Sequence, residues 1–370
     1  MRVATLLSLL LLFVGGCQSL NPLKLENHSE MGEESVLGST ELSVNPKTVL
    51  KERNEFVDKL LQAGKDKRQL YEKFLNVIGA NGILDGIEKV WPDCHTEAHD
   101  AGKVIFAELR DIGTSLRVCA NRCFAGCMHG VLMEAFSKVA EKKDAHKHVN
   151  LAMIKPAMNE LCYKNPEMVA SFSPGNCAHG VGHAVMYLAR YQIPEALETC
   201  TGFENPAMRY YCATGAYMEY VTEYDEIDAK NKSLQYPCDT YAYPAACSRY
   251  KMYYVANRFY QAKRSTEEIV QECEKLTGKF RLGCFHGLGN AHMWPIANGK
   301  INIIRVCGHG TDHDRLMCIE GVAERLGRHH EKRALAVCEE LKNNDRTVCL
   351  SAVKNKMYDM TKDYGLYLAE

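Results

Sequence analysis

The histidines are the residues whose type and spacing could do chemistry. Fourteen are present, and three pairs are spaced by four residues, which places both rings on one face of a helix and near enough to share a metal ion. Three histidines also stand two residues after the second cysteine of a pair, in CMHG, CAHG and CFHG. One pair, His309 and His313, stands elsewhere in the cysteine pattern and is expected in a turn. The others predict a metal site built from His95, His99, His129, His179, His183 and His286.

Neutral imidazoles bind Zn, Cu or Fe, so one of these metals is the expected cofactor. Glu97, Glu134 and Glu219 lie on the same segments and could act as ligands, as partners of the ligands or as a general base. Of these, Glu97 and Glu134 are the predicted catalytic residues. No known sequence motif identifies the reaction. HTEAH is not the HExxH motif of zinc peptidases, and the H-x-E within it is not followed by the PCxxC of zinc deaminases.

The cysteines define a repeat. There are 17, and setting Cys17 aside leaves an even number, in which the second member of a pair recurs every 31 to 37 residues. That period is the size of one helical hairpin. Since CxxC and CxxCH are absent, disulfides are favoured over thiolate metal sites or attached haem. The predicted disulfides of the regular units join Cys162 with Cys177, Cys200 with Cys212, Cys238 with Cys247, Cys273 with Cys284, Cys307 with Cys318, and Cys338 with Cys349. The spacing leaves the connectivity of the four earlier cysteines open, and the pairs expected there are Cys94 with Cys123 and Cys119 with Cys127.

Each unit is predicted to hold a helix, a turn of about ten residues and a second helix, with the disulfide joining the end of the first to the start of the second. Ser265 or Thr266 followed by Glu268 resembles a helix-capping box. A glycine follows the second cysteine by three residues in five units, at Gly130, Gly180, Gly215, Gly287 and Gly321. Two readings of this glycine are open: close approach of two helices, or room for a ligand at helix N-termini.

The disulfide in each unit is similar to that of the cysteine-rich Sel1-like repeat proteins, which are exported helical hairpins. The cysteine spacing over residues 160 to 352 carries this resemblance, and it implies architecture only. The expected fold is all-α, with disulfide-tied hairpin repeats of about 35 residues forming an α/α toroid or a short superhelix. In a closed ring, the starts of the second helices would converge on a central cavity, where their dipoles favour an anionic substrate or bound hydroxide.

Residues 1–16 read as a signal peptide, because a charged start precedes an apolar run too short to span a membrane. The following VGGC resembles the lipobox of bacterial lipoproteins, which implies a lipid on Cys17. Residues 17–47 are then a lipidated, flexible tether, and residues 48–370 a single all-helical domain. The resemblance implies a cell-envelope protein anchored by lipid, in the outer membrane, facing the periplasm or the cell surface.

The charge and the repeats narrow the function to three classes. A net charge of −1 gives no general attraction to nucleic acid, so none is expected as a partner. The first class is a metal-dependent enzyme of the cell envelope with an unidentified substrate. The second is a helical-repeat scaffold that binds a peptide, glycan or protein on a concave face. The third is a metal carrier, and in all three the membrane is a partner through the lipid anchor.

Overall fold

Helices and turns make up the described part of the chain, in which no strand occurs. The computed structural model describes residues 46–64, 67–91, 94–120, 122–141, 151–172, 174–223, 236–261 and 265–355. The predicted all-α fold is therefore confirmed. The helices are α1 (Pro46–Gln62), α2 (Arg68–Val90), α3 (His95–Leu109), α4 (Ile112–Cys119), α5 (Gly126–Glu141), α6 (Lys155–Lys164), α7 (Pro166–Ser171), α8 (Pro174–Leu188), α9 (Ile193–Cys200), α10 (Pro206–Glu223), α11 (Pro244–Gln261), α12 (Thr266–Glu274), α13 (Gly278–Ala297), α14 (Ile303–Cys307), α15 (Asp312–His329), α16 (Glu331–Glu339) and α17 (Asn343–Asn355).

The expected signal peptide (1–16), the lipid on Cys17 and nearly all of the expected tether (17–47) lie outside the described residues. Within the part of the chain that the structure describes, no helix is long and apolar enough to cross a membrane.

Eight disulfides connect neighbouring helices, and their pairing is the one that the cysteine spacing predicts. In the two that precede the regular repeat, Cys94 bonds to Cys123 and Cys119 bonds to Cys127. The six of the regular repeat join Cys162 with Cys177, Cys200 with Cys212, Cys238 with Cys247, Cys273 with Cys284, Cys307 with Cys318, and Cys338 with Cys349. The period of the cysteines is therefore the period of the helical hairpins.

The predicted turn of about ten residues is wrong, since only residues 201–205 separate α9 from α10 and only residues 340–342 separate α16 from α17. The second helix of a unit begins several residues before its cysteine because capping groups start it early. At α15, for example, Thr311 and Asp314 form a capping box. The capping box predicted at Ser265 and Glu268 is confirmed at the start of α12.

The long helices of successive units run parallel and in register. On α8 and α10, His179 contacts Thr214 and His183 contacts Glu219, so residues about one repeat apart lie side by side. In parallel helices of equal register, the residues at equivalent places of each unit form a row across the array. The row two residues after the second cysteine therefore passes through His129, His179, Thr214, Arg249, His286 and Glu320.

The recurring glycine permits this close packing. A Cβ atom on Gly215 would lie 1.8 Å from the carbonyl oxygen of His179, and one on Gly130 would lie 1.9 Å from that of His99. Gly321 meets the carbonyl oxygen of His286 in the same way. At Gly180 the added atom would instead meet the His129 ring, 2.8 Å from its Cδ2. Close helix approach thus accounts for three of the five glycines, and a fourth leaves room for an imidazole.

The row of helices curls back on itself. Each long helix packs against the next, in the order α1, α2, α3, α5, α8, α10, α11, α13, α15 and α17. Phe124, near the beginning of this row, contacts the Trp294 ring of α13 at 5.6 Å and the His330 ring after α15 at 5.2 Å between centroids. Residues from the early and late units therefore face one another across the axis of the array.

Candidate metal centre

Five histidines gather where α3, α5 and α8 meet. His95 and His99 lie in the first two turns of α3, His129 in the first turn of α5, and His179 and His183 on one face of α8. Neighbouring ring centroids are 4.7 to 5.8 Å apart, and every ring belongs to a buried residue. A packed core rarely places this many polar rings together, because each buried nitrogen needs a partner.

Four of these residues can supply one ligand atom each to a common ion. One ring nitrogen from each of His95, His129, His179 and His183 lies within 4.8 Å of the other three. A second group of three potential ligands, His99, His183 and Glu219, adjoins it through the shared His183. We call the first group the four-histidine cluster.

The hydrogen bond made by His95 fixes which of its nitrogens can bind a metal. Its Nδ1 lies 3.0 Å from the carbonyl oxygen of Phe124. A carbonyl oxygen only accepts, so Nδ1 carries the hydrogen and Nε2 keeps its lone pair. A metal-binding histidine commonly donates from its other nitrogen to a protein acceptor in this way, which holds both the tautomer and the ring orientation.

His179 is fixed by the same logic through a hydroxyl group. The Thr214 hydroxyl donates to the carbonyl oxygen of Tyr211 at 2.5 Å, and it lies 2.7 Å from Nδ1 of His179. Since its only hydrogen points to Tyr211, the hydroxyl accepts from His179. The Nε2 atom of His179 therefore also presents a lone pair to the cluster.

His183 contacts both Glu219 and a second histidine of the cluster. Its Nδ1 lies 2.8 Å from Oε2 of Glu219, and its Nε2 lies 3.2 Å from Nε2 of His179. Two nitrogens bound to one metal ion at about 2.0–2.1 Å would be separated by about 3.0–3.4 Å. Two facing lone pairs at this distance repel unless a proton or a metal ion lies between them. The contact is thus of the kind that a shared ion would stabilise.

His129 has a buried ring that the protein alone does not satisfy. Neither of its nitrogens has a hydrogen-bond partner among the described residues, and the residue is only 2 % exposed. Burial, with the neighbouring His183 next in importance, holds the pKa of both His129 and His99 well below the usual value. Burial also lowers the pKa of His183 to about 3. Neutral imidazole is the form that binds metals, so these rings need not lose a proton before they bind a cation.

Glu219 is the carboxylate that contacts the histidines. Its Oε2 bonds to His183 and lies 3.9 Å from Nδ1 of His99, while Oε1 lies 3.5 Å from the Tyr191 hydroxyl. Burial raises its pKa to about 7. A carboxylate behind a ligating imidazole orients the ring and increases its basicity.

A left-handed turn before α5 positions one of these contacts. Cys123, Phe124 and Ala125 all have positive φ values, of 48°, 54° and 65°. Such a conformation costs roughly 1 kcal/mol or more per residue outside glycine. Two disulfides, Cys94–Cys123 and Cys119–Cys127, hold the segment on either side. The turn directs the Phe124 carbonyl to His95 and the Phe124 ring to α13.

The cluster borders a pocket at the axis of the array, which we call the axial pocket. It has an empty volume of about 380 Å³, counting solvent at its mouth. Residues from both halves of the array form its wall: His95, Phe124, His129, Asn176, His179, Met218, Arg249, Tyr250, Glu324 and Arg325. Three members of the four-histidine cluster therefore face a space in which a small molecule could reach the ion that they would hold.

The other predicted site residues lie elsewhere. His286 does not join the five histidines, and its Nε2 instead lies 3.2 Å from Oε2 of Glu324. Glu134 pairs with Arg68 and Lys138, at 3.5 Å in each case. Neither Glu134 nor Glu97 lines the axial pocket, so the catalytic roles predicted for them stay predictions.

Several residues that position the metal centre were not predicted from the sequence. Thr214, one repeat beyond His179, and the carbonyl of Phe124 are the acceptors that orient two rings. Thr214 could have been predicted as a partner of His179, because it occupies the equivalent place in the next unit. Parallel helices in register bring such residues side by side. Nothing in the sequence indicates the Phe124 contact, since it depends on a left-handed turn.

Removing the Thr214 hydroxyl should weaken metal binding without unfolding the protein. In Thr214→Val, His179 loses the acceptor that fixes its tautomer, and we expect metal affinity to fall by about 10- to 100-fold. Competition with a coloured chelator would measure this change. Thr222→Val, which removes a hydroxyl bonded only to the Met218 carbonyl on the same helix, should leave the affinity unchanged. Equal affinities for the two variants would contradict the role given to Thr214.

No family model, no characterised protein and no solved structure matches this chain, so the geometry of the site alone supports a function.

Proposed function

We propose that the protein binds a transition metal ion through His95, His129, His179 and His183 and uses it for catalysis on a small molecule in the axial pocket. One observation carries the proposal. Three buried imidazoles of the cluster each have Nδ1 bonded to another residue, and two of their Nε2 atoms approach to 3.2 Å. Such an arrangement suits a cation better than it suits a metal-free core.

Catalysis is favoured over a purely structural ion because of the axial pocket. Structural metal sites are closed, whereas catalytic sites keep a position open to substrate or water. Three of the four ligands border the pocket. A metal held there would act as a Lewis acid or would lower the pKa of a bound water. The chain's own part is to hold neutral imidazoles in fixed tautomers, with Thr214, Glu219 and the Phe124 carbonyl behind them.

A resident ion is favoured over a transported one. The four ligands lie on three packed helices, and each ligand residue is at most 6 % exposed. An ion that left through the axial pocket would first have to lose its bonds to all four nitrogens. The buried set therefore supports an enzyme over a carrier, and the polar cluster gives a metal-free scaffold no evident advantage.

The place of action that we propose is outside the cytoplasm. Eight disulfides in one chain favour an oxidising compartment. We further propose that a lipid on Cys17 anchors the protein to the outer membrane, facing the periplasm or the cell surface. The lipobox-like VGGC supports the anchor.

Metal titration of the purified protein tests the proposal. After chelation and dialysis, we expect Co²⁺ and Zn²⁺ each to bind with a stoichiometry of about one per chain, and Co²⁺ to give the visible absorption of a nitrogen-rich site. Thermal stability should rise on loading, by about 4 kcal/mol at a free metal concentration a thousand times the Kd. Less than about 0.2 metal per chain after saturation, with no rise in Tm, would refute the centre.

A further inference from the structure

The axial pocket carries positive charge on the part of its wall that the histidines do not form. Arg249 of α11 and Arg325 of α15 both line it, and the acidic residue among its lining is Glu324. Nη2 of Arg249 lies 2.7 Å from Oε2 of Glu324, with both side chains at most 4 % exposed. Among the described residues that line the pocket, two guanidinium groups accompany one carboxylate, which gives this lining a formal net positive charge.

The next buried acid does not cancel this charge at neutral pH. Glu320 lies one helical turn before Glu324 on α15, and burial, with the nearby Glu324 charge, raises its pKa to about 8. It is mainly protonated at pH 7. A metal ion at the cluster would add further positive charge to the same space.

Aromatic rings hold the two arginines beside the cluster. The Tyr250 ring lies 5.3 Å from the His179 ring and 5.3 Å from the Arg249 guanidinium, so it bridges the metal ligands and the cation. The Arg325 guanidinium lies 4.5 Å from the Tyr253 ring centre and 5.5 Å from that of Phe124. Cation–π contacts of this kind favour a guanidinium beside an aromatic ring.

We propose that the axial pocket binds a small substrate bearing an oxyanion, a carboxylate or a phosphate, through Arg249 and Arg325, with its reacting end toward the four-histidine cluster. This inference rests on the proposed metal function and names its substrate class. A guanidinium has five donors, so a pair with one carboxylate does not by itself use all of them. A cationic substrate would be repelled, and a neutral one would make no charge-assisted bonds with these groups.

Calorimetry with defined probes tests the inference. Inorganic phosphate and acetate should bind the zinc-loaded protein with Kd values of about millimolar or tighter, and the neutral isostere acetamide should bind at least about tenfold more weakly. In Arg325→Met, phosphate affinity should fall at least about tenfold while zinc stoichiometry stays the same. Arg117→Met, which removes a surface guanidinium paired with Glu167, is the matched control and should change neither quantity.

The outcomes separate the two proposals. If the unmodified protein does not bind zinc, the metal centre is refuted. Phosphate titration of the metal-free protein would then still test whether Arg249 and Arg325 bind an oxyanion. Normal zinc binding without phosphate or acetate binding would overturn the oxyanion pocket alone. Undiminished phosphate binding in Arg325→Met would show that the anion binds the metal and not this wall. If Arg325→Met does not fold, Arg249→Lys gives the same test, because it keeps the charge beside Glu324 but loses the planar fork.

Discussion

Replacing His129 by leucine should remove tight metal binding and leave the metal-free protein at least as stable as before. His129 is one of four proposed ligands, and its loss should weaken zinc binding by more than about 100-fold, since even residues behind a ligand contribute 10- to 100-fold. In the metal-free protein neither ring nitrogen has a hydrogen-bond partner. A buried polar atom without a partner costs about 1–3 kcal/mol, and leucine removes that cost at similar volume.

His286→Leu is the control that makes this result decisive. His286 occupies the equivalent place in its repeat and is also buried, but it contacts Glu324 and Asn290 and lies outside the four-histidine cluster. We expect this variant to bind zinc normally and to lose about 1–3 kcal/mol of unfolding free energy. Zinc titration and urea unfolding of both metal-free variants check the pair. Normal zinc binding by His129→Leu would contradict the ligand assignment, and a large loss of stability would point to a packing role.

Gly215→Ala should lower the free energy of unfolding by about 3 kcal/mol, which is a large effect for one methyl group. The new Cβ would lie 1.8 Å from the His179 carbonyl oxygen and 2.8 Å from its carbon. Those atoms belong to the backbone of α8, so relief requires the whole helix to move away from α10. Such a shift would also separate His179 from Thr214 and His183 from Glu219, and metal affinity should fall with stability.

Gly64→Ala provides the comparison for this substitution. A Cβ on Gly64 would meet nothing within 4 Å, and its φ is not in the left-handed region. We expect a change within about 0.5 kcal/mol. Urea unfolding followed by circular dichroism measures both variants. If Gly215→Ala were as stable as Gly64→Ala, the close approach of α8 and α10 would be wrong.

The histidine pairs illustrate how much local spacing determines. Residues four apart on a helix share a face, so His179 and His183 had to point the same way once α8 formed. The same holds for His95 and His99 on α3. In the six regular units the cysteine period likewise predicts which thiols meet, because each short loop leaves one nearby partner within reach. These contacts lie within one unit or between adjacent units, so they can be predicted from spacing in the sequence.

The choice among repeat-equivalent histidines depended on tertiary structure. His129, His179 and His286 occupy the same place in their units, yet only the first two share the four-histidine cluster. His286 instead lies beside Glu324 of α15, which also pairs with Arg249 of α11. A local pattern does not reveal what stands opposite a residue several units away.

The identity of the contacting carboxylate was decided in the same way. Three carboxylates lie near the histidines in sequence: Glu97, Glu134 and Glu219. Glu134 forms ion pairs with Arg68 and Lys138, whereas Glu219 on α10 contacts His183 on the parallel helix α8. Register one repeat apart favours Glu219, because it lies 36 residues after His183.

The amino-acid sequence by itself determined the helices, the disulfide pairs and the parallel register, because each follows from spacing within about one repeat. The tertiary structure alone decided that the array curls, that Phe124 reaches α13, and that Arg249 and Arg325 face the histidines across one pocket. Curvature is the sum of small rotations between successive units. Each rotation depends on how side chains pack at one interface, so the residues that meet across the axis cannot be read from any single repeat.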